Sequence, residues 1–304
     1  MKKIIVIAGP TAVGKTELSI ALAKALNTEI ISADSVQVYK KLDIGSAKPT
    51  VQEMAGITHH LIDVVDPFVS YSVSEYVSEA KAAIQRLHEA NKVPVIVGGT
   101  GLYINGLVYD MGFGESAADA DFRTNLENEA QTLGADALYE KLKACDPGAA
   151  ERIHPNNIKR VIRALEINHI TGKPMADFAQ DPVPTKDYEV LLFGLSRERK
   201  VLYDRIDQRV HMMFEQGLLE EVKSLKNLGL NDSFQSMQGI GYKEVLAYLE
   251  GKITYDTLVD DIQKGSRHYA KRQFTWFKRY PFIHWIDLDV LSSQEAVKFI
   301  LEKL

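Results

Sequence analysis

The chain has 304 residues, 45% of them hydrophobic and 25% charged, which is material for one large or two modest domains and excludes disordered or collagen-like classes. Its net charge of −5, from 36 basic and 41 acidic residues, argues against indiscriminate binding to nucleic acid. One cysteine, Cys145, excludes an internal disulfide and a cysteine-paired zinc site, and no apolar run approaches the length of a membrane helix, so the expectation is a cytoplasmic protein without membrane contact and with no protein partner implied.

Residues 3–8 are a short, largely β-branched run; Met1, Lys2 and Lys3 before it do not make a signal peptide, because the apolar stretch is too brief and ends in glycine-rich sequence. The run leads directly into Gly9, Pro10, Thr11, Ala12, Val13, Gly14, Lys15 and Thr16, and a helical pattern follows over 17–26. This is G-x-x-x-x-G-K-[ST] in its proper strand-to-helix setting. Glycines let successive backbone N–H groups curl around phosphate oxygens, Lys15 adds charge, Thr16 can hold Mg²⁺, and the helix N-terminus adds its dipole. The loop therefore predicts a phosphate or pyrophosphate site, and leaves open whether the ligand is a nucleotide such as ATP.

Further strands are expected at 28–33, 59–63 and 93–97, with a crossover helix over 72–91, so the core reads as a doubly wound parallel α/β sheet. A nucleoside triphosphatase places an Asp at the end of a second strand. Here the run 93–97 ends in Gly98, Gly99, Thr100, Gly101, Leu102 and Tyr103, although Asp63 could supply such a carboxylate. The acid best placed is Asp34, at the end of the run 28–33; the carboxyl ends of parallel strands share one edge, where the phosphate loop, Asp34 and Thr100 should converge. Their plainer readings are a turn or helix cap for Asp34 and a turn residue for Thr100. Adjacent His59 and His60 alternate across a strand and are read as structural.

Beyond Gly106 the composition shifts. Gly112, Gly114 and Ser116 mark a loop, helical patterns run to about 172, and Pro174, Pro182 and Pro184 follow. The expected division is a phosphate-loop core at 1–112 and 189–304, interrupted by a helical domain at 113–188. The core resumes with strands at 189–195 and 282–288 and long helices at 198–228 and 254–280. Between 264 and 281 stand six basic residues, Lys264, Arg267, Lys271, Arg272, Lys278 and Arg279, and no acidic one. Tyr269, Phe274, Trp276 and Phe277 interleave with them, a pattern suited to RNA whose plainer reading is core packing for the rings and a solvated face for the charges. Arg123, Lys159, Arg160 and Arg163 form a second basic group.

Several stretches together resemble the tRNA dimethylallyltransferase (tRNA isopentenyltransferase) family: the loop 9–16, Asp34 to Tyr39, His59 to Asp63 with Asp66 and Pro67, Gly98 to Tyr103, Ile153 to Asn156, Arg160 to Glu166, Arg209 with Gly217 and Leu218, Gly239 to Lys243, and Tyr269 to Gln273. The resemblance spans nearly the whole chain. It implies transfer of a dimethylallyl group from its diphosphate to the exocyclic amine of the adenosine just 3′ of the anticodon, with diphosphate released. Asp34 would then be the base, Thr100 would line the channel beside the amine, and Arg209 with Arg205 would reach the diphosphate. The tRNA anticodon stem-loop would meet Ser35, Val36, Gln37, Gln238, Gly239, Gly241, Tyr242, Lys243, Gln273 and the two basic groups, Tyr242 as a ring for an unstacked base. Eukaryotic relatives often carry a C-terminal zinc finger; the cysteines for one are missing here, which implies the bacterial type. A phosphate-loop kinase, a prenyltransferase of free adenine nucleotides and a non-catalytic RNA-binding protein are the competing readings.

Overall fold

The computed structural model describes residues 2–111, 119–172, 174, 175 and 183–304, and the loop expected at Gly112, Gly114 and Ser116, like Pro182, lies outside them. In chain order the first elements are β1 (Lys3–Ala8), α1 (Lys15–Ala25), β2 (Ile30–Ala33), α2 (Val51–Met54), β3 (His59–His60), α3 (Val73–Glu89), β4 (Val95–Gly98) and α4 (Gly101–Val108). Helices α5 (Ala120–Leu133), α6 (Ala135–Cys145), α7 (Pro147–Arg152) and α8 (Ile158–Thr171) follow. The chain then makes β5 (Glu189–Ser196), α9 (Arg199–Glu215), α10 (Leu218–Asn227), a 3₁₀ turn at Gln235–Gln238, α11 (Tyr242–Leu249), α12 (Tyr255–Phe277), β6 (His284–Asp287) and α13 (Ser293–Leu301).

Among the described residues the sheet has six strands, all parallel, in the order β3-β2-β4-β1-β5-β6. β1 is central, and Ile4 to Ala8 are fully buried, as a strand covered on both faces requires. α3 shows how local sequence sets an element. Ser72 accepts the N–H of Glu75 while Glu75 returns a bond to the N–H of Ser72, closing a capping box; Tyr76, Ala80, Ala83, Ile84 and Leu87 then bury one helical stripe.

Two expected elements differ. The helix expected over 198–228 is two helices, because Gly217 between them takes φ 97° and caps α10, a left-handed conformation that ends a helix. The strand expected over 59–63 stops at His60, since Leu61 and Asp63 have φ of 60° and 56°.

The chain divides into two compact units, 1–108 with 185–304 and 109–184, each edge of the inserted unit falling four residues before the expected 113 and 188. The inserted unit has its own core, built from Leu138, Leu142, Val161, Ala164 and neighbours.

Candidate active site

Three turns leave one edge of the sheet side by side. Ala33 of β2 and Ala8 of β1 both pair with Gly98 of β4, so the phosphate loop, Asp34 and the turn Gly99–Thr100 emerge at one level. Two inter-strand steps, about 10 Å, separate the loop from Asp34, with Thr100 between. A cavity of about 870 Å³ opens there, lined among others by the loop 11–17, Asp34 to Gln37, Arg205, Arg209 and Tyr269.

The phosphate loop is held by side chains drawn from several elements. Lys15 Nζ donates to the carbonyls of Gly9 and Pro10 at 3.0 and 2.8 Å. Arg205 Nε donates to Ala12 O and Arg197 Nε to Val13 O, both at 2.9 Å. Burial pulls the Lys15 ammonium down to about 8; the Asp34 carboxylate opposes this and Arg209 reinforces it. Arg209 is itself lowered, by burial first and by Arg205 beside it, with Glu53 acting in the opposite sense. Lys15 and Arg209 are drawn out of water next to the exposed Arg205, a set of like charges whose repulsion an anion would relieve. Thr16 is exposed at the start of α1. No cluster of three or more His, Cys, Asp or Glu suited to a metal occurs among the described residues, and Asp63 is bound to Lys48.

Asp34 is half committed. Its Oδ1 accepts the N–H groups of Val36 and Gln37 at 2.9 and 3.2 Å, the turn-capping role foreseen as its plain reading, while no hydrogen bond reaches Oδ2 among the described residues. Thr100 Oγ1 accepts the N–H of Ser35 at 3.0 Å and lies 3.3 Å from Ser35 Oγ. Tyr269, classed from sequence with the packing aromatics, borders this corner: burial and then Asp34 push its hydroxyl up to about 12, against hydrogen bonds to Thr100 and Gln273. Its signal in the sequence was the 4-3 spacing of Tyr269, Gln273 and Trp276, a single helical face. Arg197 was missed as well, although the first residue after a parallel strand belongs to this edge.

The residues expected to meet tRNA divide into free and committed groups. Lys271, Arg272, Lys278 and Arg279 are exposed and have no carboxylate partner among the described residues; the last three lie over the rings of Tyr269, Phe274 and Trp276 at 5.6, 4.6 and 5.6 Å. Lys264 and Arg267 are paired instead, to Asp260 and Asp207, so the acid-free stretch is partly neutralised by its neighbours. Lys159, Arg160 and Lys243 are exposed, and Gln238 is exposed with its amide on Asp232 O. Ser35, Val36, Gly239 and Gln37 line the cavity, Gln37 with its amide on Ser46 O and Ala47 O.

Three expectations are corrected. Tyr242 is fully buried and donates to Glu221 at 2.7 Å; Glu221 also takes the N–H groups of Asp43, Ile44 and Gly45, so the ring is a post under that loop and cannot stack on a base. Gly241 is buried with φ 98° as the cap of α11. Gln273 is 5% exposed and faces the sheet edge. Arg123 and Arg163 both pair with Glu166, at 2.7 and 2.6 Å. His60 pairs with Glu29 and His59 bonds Ile57 O.

A profile of the IPP transferase family matches residues 37–280. Among curated proteins, the tRNA dimethylallyltransferase of Alkaliphilus oremlandii is 51% identical over 97% of this chain and 94% of its own length, and that of Clostridioides difficile is 49% identical over 98% and 96%. Among solved structures, the tRNA isopentenylpyrophosphate transferase of Bacillus halodurans is similar with TM-score 0.75, 46% identity and coverage of 100% of this chain and 97% of that one. A eukaryotic dimethylallyltransferase acting on tRNA gives TM-score 0.85 at 33% identity, over 99% and 80%.

Proposed function

The chain belongs to the IPP transferase family and modifies tRNA by dimethylallyl transfer; within that activity we propose that the acceptor is the exocyclic amine of the adenosine 3′ of the anticodon and the donor dimethylallyl diphosphate. The observation that carries this reading is one cavity bordered on one side by a phosphate loop ringed with Lys15, Arg205 and Arg209, and on the other by a carboxylate with one oxygen open.

The chemistry follows from those positions. The amine nitrogen bonds to the allylic carbon as the carbon–oxygen bond to diphosphate breaks, and the electron pair of that bond leaves with the diphosphate. Its charge is met by loop N–H groups, Lys15, Arg205 and Arg209, in a corner already short of anions. An aromatic amine is a weak nucleophile, and Asp34 Oδ2 takes its proton as the new bond forms. Thr100, fixed by Ser35, stands beside the amine. A divalent cation, proposed as Mg²⁺, would be held by Thr16 and diphosphate oxygens and supply further charge neutralisation. An unpaired loop can present an unstacked base to such a cavity, and the exposed cations Lys271, Arg272, Lys278, Arg279, Lys159 and Arg160 are proposed to meet its phosphates. No helix among the described residues is long and apolar enough to cross a membrane, and cytoplasmic tRNA is the proposed substrate pool.

The test is mass analysis of nucleosides after incubation of the protein with tRNA and dimethylallyl diphosphate. One five-carbon unit on adenosine is expected; ATP hydrolysis or phosphoryl transfer without prenylation would overturn the reading in favour of a kinase.

A further inference from the structure

Register fixes the level at which β1 and β4 end, but not how far the loop after one stands from the turn after the other. One side chain bridges that gap. From α12, Gln273 Oε1 accepts the N–H of Thr11 at 2.9 Å, and Nε2 donates to the carbonyl of Gly99 at 3.0 Å. The partners settle the orientation of the amide, since a backbone N–H can only donate and a carbonyl only accept. The approach is close: a Cβ on Gly99 would lie 2.2 Å from Nε2, so a side chain there would displace the amide. Neighbours on the same helix face reinforce the bridge. Tyr269 borders Thr100 and Asp34, and Trp276 Nε1 donates to Asn105 of α4 at 3.3 Å.

Glutamine suits this position because its planar amide offers one acceptor and one donor side by side. An ionised Glu has no donor, and Asn is a methylene short. The adjacent exposed residues, Lys271 and Arg272, have no carboxylate partner among the described residues, so a single helix both offers charge outward and fixes the sheet edge inward.

We propose that Gln273 is a positioning residue for the transfer, tying the loop that holds the leaving group to the turn that carries Thr100, so that the allylic carbon and the acceptor amine meet at reacting distance. The inference rests on the function proposed above. Misplacement of reacting groups by about 1 Å can cost on the order of 100-fold in rate, and one lost bridge between two turns is a displacement of that kind.

Two variants test it by single-turnover transfer at saturating tRNA and donor, alongside tRNA binding. Gln273→Leu should lower the rate at least about tenfold and leave the tRNA Kd within about twofold. An unchanged rate, or a loss abolished by more tRNA, overturns the proposal. Gln273→Glu decides the matter should the leucine variant not fold. A buried carboxyl is protonated well above its ordinary range, and the protonated acid can accept from Thr11 while donating to Gly99. The ratio of its rate to the native rate should therefore rise as pH falls from about 8 to about 6; a flat ratio overturns the proposal. The native protein in the same assay separates the two levels. Absence of transfer by the native chain defeats the functional reading, whereas native transfer with indistinguishable variants defeats the role of Gln273 alone.

Discussion

Asp34 at the sheet edge and Glu166 in the helical unit are both carboxylates taken largely out of water, yet their acceptor atoms are used in opposite ways. Glu166 is fully buried; Oε1 takes the N–H of Asp119 at 2.9 Å and Arg123 at 2.7 Å, and Oε2 takes Arg163 at 2.6 Å. Burial alone would raise its pKa, and these partners bring it below the ordinary value instead. Asp34, which lines the cavity, spends Oδ1 on its own turn and has no hydrogen bond to Oδ2 among the described residues. A carboxylate whose oxygens are all engaged is a structural knot; one engaged on a single side is held in aim with a base to spare.

The sharpest way to break this contrast is Asp34→Asn, which keeps an oxygen for Val36 and Gln37 and removes the proton acceptor. Single-turnover transfer should fall at least about 100-fold with tRNA binding within about twofold; a native rate would remove Asp34 from the chemistry. Next in size, replacing Lys271 and Arg272 together by Ala should weaken tRNA binding about tenfold near physiological salt and lower the slope of log K against log salt by about 2. An unaltered slope would mean that neither cation meets a phosphate.

A smaller effect concerns the other side of the cavity. Lys15 titrates at about 8, below its unfolded value near 10.4, so the free protein loses this charge as pH rises through 8. Donor KM should climb over that interval while tRNA affinity stays level. The stability sign is the reverse of that for a salt-bridged lysine: the unfolded chain holds the extra proton, so this group's contribution improves as pH rises between the two values. A flat donor KM from about pH 7 to about pH 9 would show that Lys15 does not meet the diphosphate as a cation.

What could be read from the sequence, and what could not, divides along local and non-local lines. The phosphate loop was legible because its signature is contiguous and its strand-to-helix setting is written on either side. Asp34 and Thr100 were legible because parallel strands must end on one edge. Tyr242 and Gln273 were misplaced for a shared reason: each sits beside exposed, RNA-suited neighbours, and which face of a helix turns inward is decided by elements distant in sequence. Glu221 buries Tyr242, and Thr11 with Gly99 claims Gln273. The charge run from 264 to 281 misled in the same way, since Arg267 finds its acid, Asp207, on α9. Helix spacing gives the faces but not their partners.

Glu166→Gln is the gentlest probe of the contrast. It keeps the shape and an oxygen acceptor but removes the charge that holds two guanidiniums. Those are 36% and 41% exposed and can rehydrate, so the cost is nearer about 1–2 kcal/mol than the larger penalty of stranding a fully buried ion. It should appear as faster amide exchange in α5 and α8, which Glu166 of α8 joins through Arg123 and the N–H of Asp119 at the start of α5, with the chemical step at saturating substrates unmoved. Because the folded pKa of Glu166 is lowered, its contribution is present above the unfolded carboxylate value of about 4.3 and is lost as pH falls through the still lower folded value; in acid the native protein and the variant should therefore converge. A variant that exchanged like the native chain but transferred more slowly would place Glu166 in the machinery and erase the distinction between the two carboxylates.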